Sequence, residues 1–407
     1  MRVMRRGGAP VVFALAGLVG ALFPRGLWAQ GEVVKAAPAP SAQTTRAALA
    51  AAYLRMDRAY ETTAAAGMSD SVRSALNRRF DGATLAFFGG KFAAAVASID
   101  TAILMLPSAA RAEAIAPVPP PRSVNGGPPS LARAELKARL EVIDSTGPLA
   151  QAVFSTRARL DLLVDEPNVE RSAEFLSNPS QLARDLTREI TALEKGRDPY
   201  IGVAGDTWRA FRSGSGAMVP MRVVASPAAN LRRPVGVLIA LHGAGGDENM
   251  FVDAYGQGVV ATLAKEQRLL LVSPATTQFS ASPANFDTLM AVLRREFRID
   301  STRIYVIGHS MGAGAAARLA QQRPTQLAAV VCLAGGSAVT AANAPPMLFI
   351  GASLDPIIPA RTVEAAAKAT PTGTYEVLPY EGHTLMVGRG VRRAMPWLMQ
   401  HTRTITP

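Results

Sequence analysis

A serine set between glycines, Gly308-His309-Ser310-Met311-Gly312, follows a β-branched run from Ile304 to Ile307 and precedes the small residues Ala313 to Ala317. Strand, G-x-S-x-G, helix is the arrangement that presents a serine hydroxyl on a strained turn. The flanking glycines leave space where a Cβ would collide with neighbouring backbone. Such a serine becomes a nucleophile when a base takes its proton and preorganised donors hold the oxyanion that forms. In a chain with 34 glycines the pentapeptide is a weak signal by itself. Its chemistry depends on what other segments bring.

The histidines are His242, His309, His383 and His401. His309 lies inside the serine motif, His242 in a glycine run and His401 near the end of the sequence. His383, in Glu381-Gly382-His383-Thr384, remains as the base, histidine being the side-chain type suited to taking and returning a proton near neutrality. Asp355 lies in GASLDPIIP (Gly351 to Pro359), behind an apolar run from Met347 to Ile350. An acid there orients a histidine and stabilises its charged form; a turn aspartate before Pro356 is the competing reading. The donors are sought in LHGAGGD (Leu241 to Asp247), where the Ala244 amide joins that of Met311, next to the serine, as the expected oxyanion hole. A phosphate-binding loop would need the Lys-Ser/Thr of a P-loop or a G-x-G-x-x-G spacing, and this run has neither. Cys332, the single cysteine, sits in the apolar run Ala328 to Leu333 and reads as a buried small hydrophobe.

These residues follow short apolar runs that read as strands: Met218 to Val224, Val235 to Leu241, Leu269 to Val272, Ile304 to Ile307, Ala328 to Leu333, Met347 to Ile350 and Thr374 to Leu378. Helical patterns such as Asn285 to Phe297 lie between most of them. Continuous apolar strands alternating with helices predict a mostly parallel sheet covered on both faces. Sites assemble in the loops at the carboxyl ends of such strands.

Residues from about 205 to 402 resemble an α/β-hydrolase of the compact esterase kind, a group that includes polyhydroxybutyrate depolymerase-like, feruloyl esterase-like and phospholipase/carboxylesterase-like enzymes. The resemblance rests on LHGAGGDE (Leu241 to Glu248), RIYVIGHSMGAG (Arg303 to Gly314), Asp355 with Pro356, and Gly382-His383. The order Ser310, Asp355, His383 is the order of that fold. It implies an α/β-hydrolase sheet, Ser310 as nucleophile, Asp355 as acid, His383 as base and Ala244 with Met311 as oxyanion hole. The implied reaction is acyl transfer from a small-molecule or polymeric ester to water, without metal or organic cofactor. About a dozen residues separate Leu333 from Met347, too few for a large lid. An open site is therefore expected unless the N-terminal region or the loop Ser273 to Phe286 covers it. A serine peptidase or amidase of the same fold is the enzymatic rival. A catalytically inactive hydrolase-like interaction protein is the rival from another class.

The other half of the 407 residues carries no recognisable chemistry. Residues 1–29 read as a signal peptide for export to the periplasm or the medium, with Arg2, Arg5 and Arg6 ahead of an apolar run from Val11 to Phe23. An uncleaved anchor is the alternative, and no stable membrane span is expected once the signal is removed. Residues 30–43 form a flexible Pro/Ala lead, and 44–200 a mainly helical accessory domain with a Pro-rich loop at 107–130. Phe80 to Ile103 resembles one tetratricopeptide hairpin, better read as an ordinary helical hairpin packed on the next domain. Leu136 to Val142 fits a strand or a helix. A protein contact through this helical region stays open. The net charge of +12 comes from arginines scattered among alanines. There is no basic face interleaved with aromatics, so a nucleic-acid partner is not expected.

Overall fold

The computed structural model describes residues 46–115, 129–164 and 179–404, apart from 228, 230 and 231. The signal segment, the Pro/Ala lead and most of the Pro-rich stretch lie outside the described residues. Among the described residues eight strands form one sheet: β1 (Gly205–Arg212), β2 (Met218–Ala225), β3 (Val235–Leu241), β4 (Leu269–Pro274), β5 (Ile299–His309), β6 (Ala329–Leu333), β7 (Met347–Ala352) and β8 (Gly373–Leu378). Their order is β1-β2-β4-β3-β5-β6-β7-β8. β2 runs antiparallel to β1 and β4, and the pairs from β4 to β8 are parallel. The chain has an α/β-hydrolase fold with a helical region before the sheet.

The apolar strands are explained by two cores, one on each side. All seven residues of β3 are buried. Val237, Ile239 and Leu241 face one core with Leu270, Val272 and Val306. Leu238 and Ala240 face the other with Leu271, Tyr305 and Ile307. Successive side chains point to opposite faces, so a strand covered on both sides must be apolar at every position. In the hydrolase half, α8 (Val259–Glu266), α9 (Thr276–Phe279), α10 (Ala284–Glu296), α11 (Met311–Gln322), α12 (Ala360–Lys368) and α13 (Met386–Leu398) fill the connections. α10 and α11 cover the first face, and α8 and α13 the second.

The helices ahead of the sheet are α1 (Arg46–Ala65), α2 (Asp70–Phe88), α3 (Phe92–Leu104), α4 (Ser108–Ile115), α5 (Pro129–Glu141), α6 (Ala150–Leu160) and α7 (Pro179–Glu194). They make two separate cores. Met56, Tyr60, Leu76, Phe80, Ile99 and Ile103 from α1–α3 pack together with Leu385 of the sheet half. Leu136, Leu140, Val153, Leu186 and Ile190 from α5–α7 form the second, which meets β1 through Ala158 and Trp208.

Of the two readings of Leu136 to Val142 the helix holds over 136–141, because the apolar positions Leu136 and Leu140 recur one turn apart on the buried face of α5. Two expectations need correction. The Pro-rich stretch is no continuous loop: Ser108–Ile115 is a helix, and Pro129 opens α5, where a missing N–H costs nothing. The strand series also begins earlier than Met218, since β1 pairs along its length with β2.

Candidate functional site

The serine lies between β5 and α11, and its backbone is forced there. Ser310 has φ 53° and ψ −115°, a region that L-residues occupy at a cost of about 1–3 kcal/mol. A Cβ on Gly308 would lie 2.2 Å from the Gly312 carbonyl oxygen, and one on Gly312 would lie 1.9 Å from that of Leu241. Glycine is required at both positions for the turn to close against β3.

The Ser310 hydroxyl lies 2.9 Å from His383 Nε2. His383 Nδ1 lies 2.7 Å from Asp355 Oδ2. Asp355 Oδ1 accepts the backbone N–H groups of Ile357 and Ile358, each at 2.8 Å. Both readings of this aspartate are therefore realised, one oxygen closing the turn and the other meeting the imidazole. Met311 is the first residue of α11, where an N–H has no intrahelical acceptor. Ala244 lines the same cavity as Ser310 and His383. The structure thus brings all five expected site residues to one place.

The other two histidines of the motifs are structural. Thr276 N–H donates to His242 Nε2 at 2.9 Å, so His242 carries its proton on Nδ1, 2.8 Å from the Gly243 carbonyl. His309 Nε2 lies 2.9 Å from the His383 carbonyl, which can only accept. Its bare Nδ1 then takes the Tyr255 hydroxyl at 2.9 Å, and Tyr255 Oη accepts the Gly243 N–H at 3.3 Å. Burial, followed by the charge of His383, holds the His309 pKa well below the ordinary value. A neutral imidazole thus couples the glycine loop to the backbone of the candidate base. His401 meets Trp397 edge-on, with ring centroids 4.4 Å apart, away from this cluster.

The helical region supplies what the sequence left unread. Asp81 of α2 accepts the His383 N–H with both oxygens, at 3.0 and 3.1 Å. Asn77 Oδ1 accepts the Gly382 N–H at 2.7 Å. A Cβ on Gly382 would lie 2.1 Å from Asp81 Oδ2, so the loop approaches the helix as closely as glycine permits. Glu381 is fully buried and accepts Tyr60 Oη at 2.7 Å and Arg73 Nη1 at 2.9 Å. Burial raises the Asp81 carboxyl to about 7. Arg73, Asn77 and Asp81 recur every fourth residue, beside the buried Leu76 and Phe80. Polar residues in that register on a face that must be buried are the signal that could have revealed them.

α1–α3 also roof the serine, so of the two conditions set on an open site it is the covering by the N-terminal region that applies. A half-enclosed cavity of about 150 Å³ is lined by Leu49, Tyr53, Phe80, Phe87, Phe88 and Ile99 on one side, and by the glycine loop, Ser310 and His383 on the other. The reason is close contact. Gly245, at φ +80°, has no room for a Cβ, which would lie 2.3 Å from the Phe87 ring.

Residues 236–406 match the family described as serine aminopeptidase, S33. That stretch starts within β3, extends past the last described residue, 404, and holds Ser310, Asp355 and His383 in hydrolase order. The sheet region has the α/β-hydrolase fold. Cutinase 1 of Thermobifida cellulosilytica and a cutinase of Thermobifida fusca (strain YX) are each 47% identical to this chain over 70 residues, 16% of its length and 25% and 22% of theirs. The chain thus spans a quarter or less of the curated relatives it matches. A solved thermostable esterase is similar over 49% of this chain and 63% of its own, with 21% identity and a TM-score of 0.40. The helices that roof the hydrolase site, α1–α3, lie ahead of the matched family stretch.

Proposed function

We propose that this chain is an exported serine hydrolase that cleaves carboxylic esters through an acyl-enzyme. The observation that carries the reading is the relay from Ser310 Oγ through His383 to Asp355, at 2.9 and 2.7 Å, on a serine held at positive φ. His383 takes the Ser310 proton as the oxygen attacks the ester carbonyl. The amides of Met311 and Ala244 hold the oxyanion, a type of contact worth roughly 10²–10³ in rate per donor. His383 then gives its proton to the leaving alcohol, and a water activated by the same imidazole hydrolyses the Ser310 ester. Asp355 keeps the proton of neutral His383 on Nδ1 and stabilises the imidazolium.

Export rests on the composition of residues 1–29, and the periplasm or the medium is the expected location. Among the described residues no helix is long and apolar enough to cross a membrane. A second reading, cleavage of peptide N-termini, is favoured by the description of the matched family and by Asp247, a carboxylate in the cavity lining able to meet a charged amine. Labelling with a fluorophosphonate, followed by turnover of aryl esters and aminoacyl anilides, tests both. Ester turnover abolished in Ser310→Ala supports the proposal. Equal turnover by that variant sinks the serine assignment, and anilide-only turnover replaces the esterase by the peptidase.

A further inference from the structure

The loop after β3 could offer two amides to an oxyanion, those of Gly243 and Ala244, and its hydrogen bonds separate them. The Gly243 N–H is already used, since it donates to Tyr255 Oη at 3.3 Å. The Gly243 carbonyl accepts from His242 Nδ1 at 2.8 Å and from the Gly246 N–H at 3.2 Å. The Ala244 N–H shares a planar trans peptide with that carbonyl, so it points the opposite way. It donates to no protein group among the described residues, and Ala244 belongs to the wall of the cavity that contains Ser310.

Gly243 is thus the pivot on which the Ala244 N–H turns. Glycine has the widest choice of φ and ψ, so its direction depends on what pins it. No larger residue fits there: a Cβ would lie 2.8 Å from His309 Nδ1 and 3.3 Å from Tyr255 Oη. Tyr255 holds the N–H side of the pivot, and Tyr255 is itself held. Its own N–H donates to the Met250 carbonyl at 2.8 Å. Its ring meets that of Phe251 edge-on at 4.9 Å. The next N–H, of Gly256, donates to Asp57 of α1 at 3.0 Å. The polarity at Oη is also fixed. His309 gives its one proton to the His383 carbonyl, its bare Nδ1 takes the Tyr255 proton, and Oη is left to accept from Gly243. Burial raises the Tyr255 phenol above its ordinary value, so that proton stays in place.

We propose that Tyr255 is a positioning residue of the oxyanion hole: it takes the Gly243 N–H, fixes that glycine, and so aims the Ala244 N–H at the oxyanion. This rests on the reading of Ser310 as an esterase nucleophile. It excludes the Gly243 amide as a donor, and through Asp57 it ties the oxyanion loop to the helices ahead of the sheet. Such donors work because they are aimed before the reaction begins. A loop released at Gly243 should therefore lose rate and keep substrate binding.

The test is Tyr255→Phe in the full chain, which keeps the ring and removes the hydroxyl. On 4-nitrophenyl butyrate kcat should fall roughly 10–100-fold with KM little changed. The corresponding thionoester, with C=S in place of C=O, reports on the hole separately. Sulfur is a weak acceptor, and its longer bond to carbon misfits donors set for oxygen. Thionoester turnover should fall less than about threefold. The oxo-to-thiono ratio of kcat/KM in wild type, divided by that ratio in Tyr255→Phe, should then be roughly 10 or more. The amount of folded protein cancels in this quotient. A quotient near one overturns the proposal, whether both rates fall together or neither falls. A second measurement needs no variant. His242–Gly243 is the only His–Gly pair in the sequence, so carbonyl-¹³C histidine with ¹⁵N glycine gives one amide signal. Its exchange with D₂O should be slowed at least roughly 100-fold against an unstructured peptide. An unprotected Gly243 amide overturns the proposal as well. The esterase reading fails separately, when Ser310→Ala hydrolyses 4-nitrophenyl butyrate as fast as wild type.

Discussion

The sheet and the helices in front of it hold the same histidine from opposite sides, by different means. From the sheet, β7 and β5 lead to loops whose side chains meet the imidazole itself: Asp355 at Nδ1 and Ser310 at Nε2. From the helices, Asp81 and Asn77 take the main-chain N–H groups of His383 and Gly382. The sheet parts are positioned by strand order, which brings four strand ends together once the sheet closes. The helical parts depend on docking across a seam of buried acids and close glycine contacts. Besides Asp81 and Glu381, Asp57 accepts the N–H groups of Gly256 and Gln257, at 3.0 and 2.7 Å. A Cβ on Gly388 would lie 2.2 Å from Glu61 Oε1. Chemistry on one side and alignment on the other should respond differently to perturbation.

The largest difference is expected from Asp355→Asn. An amide keeps the turn but favours the wrong imidazole tautomer, and such a change lowers kcat by roughly 10⁴. The fold should persist, because β7 and the Ile350 core are untouched. A variant within tenfold of wild type in kcat would move the orienting role away from Asp355, and with it the sheet's share of the comparison.

The seam should announce itself through pH. Burial raises Asp57 from an ordinary 3.8 to about 7 in the folded chain. The folded state then binds the proton more tightly than the unfolded one. Its contribution to stability is complete below pH about 4 and is lost as pH rises through 7. Each tenfold in proton affinity is worth about 1.4 kcal/mol, so wild type should lose up to about 4 kcal/mol relative to Asp57→Asn over that window. Urea unfolding of both proteins between pH 4 and 8.5 measures it. A constant difference, or one that favours wild type at high pH, would show that the seam excludes no water from Asp57.

The contrast also explains what was legible in the sequence. Val235–Leu241 and Met347–Ile350 could be read as strands because burial on both faces leaves no polar position. Ser310 and Asp355 stood out because each follows such a run, whereas His383 follows the half-exposed β8 and stood out as the histidine left over once the other three were placed. The α/β-hydrolase fold followed from the same runs. The helices hid their role, because Asn77 and Asp81 are ordinary residues of a polar helix surface until a partner covers it. The register of Arg73, Asn77 and Asp81 beside Leu76 and Phe80 marks the covered face of α2, but it does not say which loop of the sheet half comes to cover it. Leu136 to Glu141 shows the converse limit, since a short alternation fits either period.

Asp81→Ala removes both acceptors of the His383 N–H without touching the imidazole. The loop Tyr380 to Thr384 should relax, and kcat should fall roughly 10–100-fold while KM changes little, as for a misplaced base. Asp81→Asn, which keeps one acceptor oxygen, should recover a good part of the loss. A purely structural role would instead lower the melting temperature of both variants with kcat per folded molecule unchanged, and the helices would then be a cover and nothing more.

The smallest effect tests whether α2 acts as a rigid body. Ser69 caps that helix by accepting the Val72 N–H. Ser69→Ala should cost about 0.5–2 kcal/mol in unfolding free energy, as lost caps do. Asn77 and Asp81 lie about two and three turns beyond Ser69, tied to the Gly382–His383 backbone. Fraying at Ser69 should therefore stop before it reaches them, and kcat should stay within twofold of wild type. If kcat instead drops in step with stability, the alignment of His383 is coupled to the end of α2. The helical half of the site would then be a soft support rather than a fixed one, in contrast to the sheet.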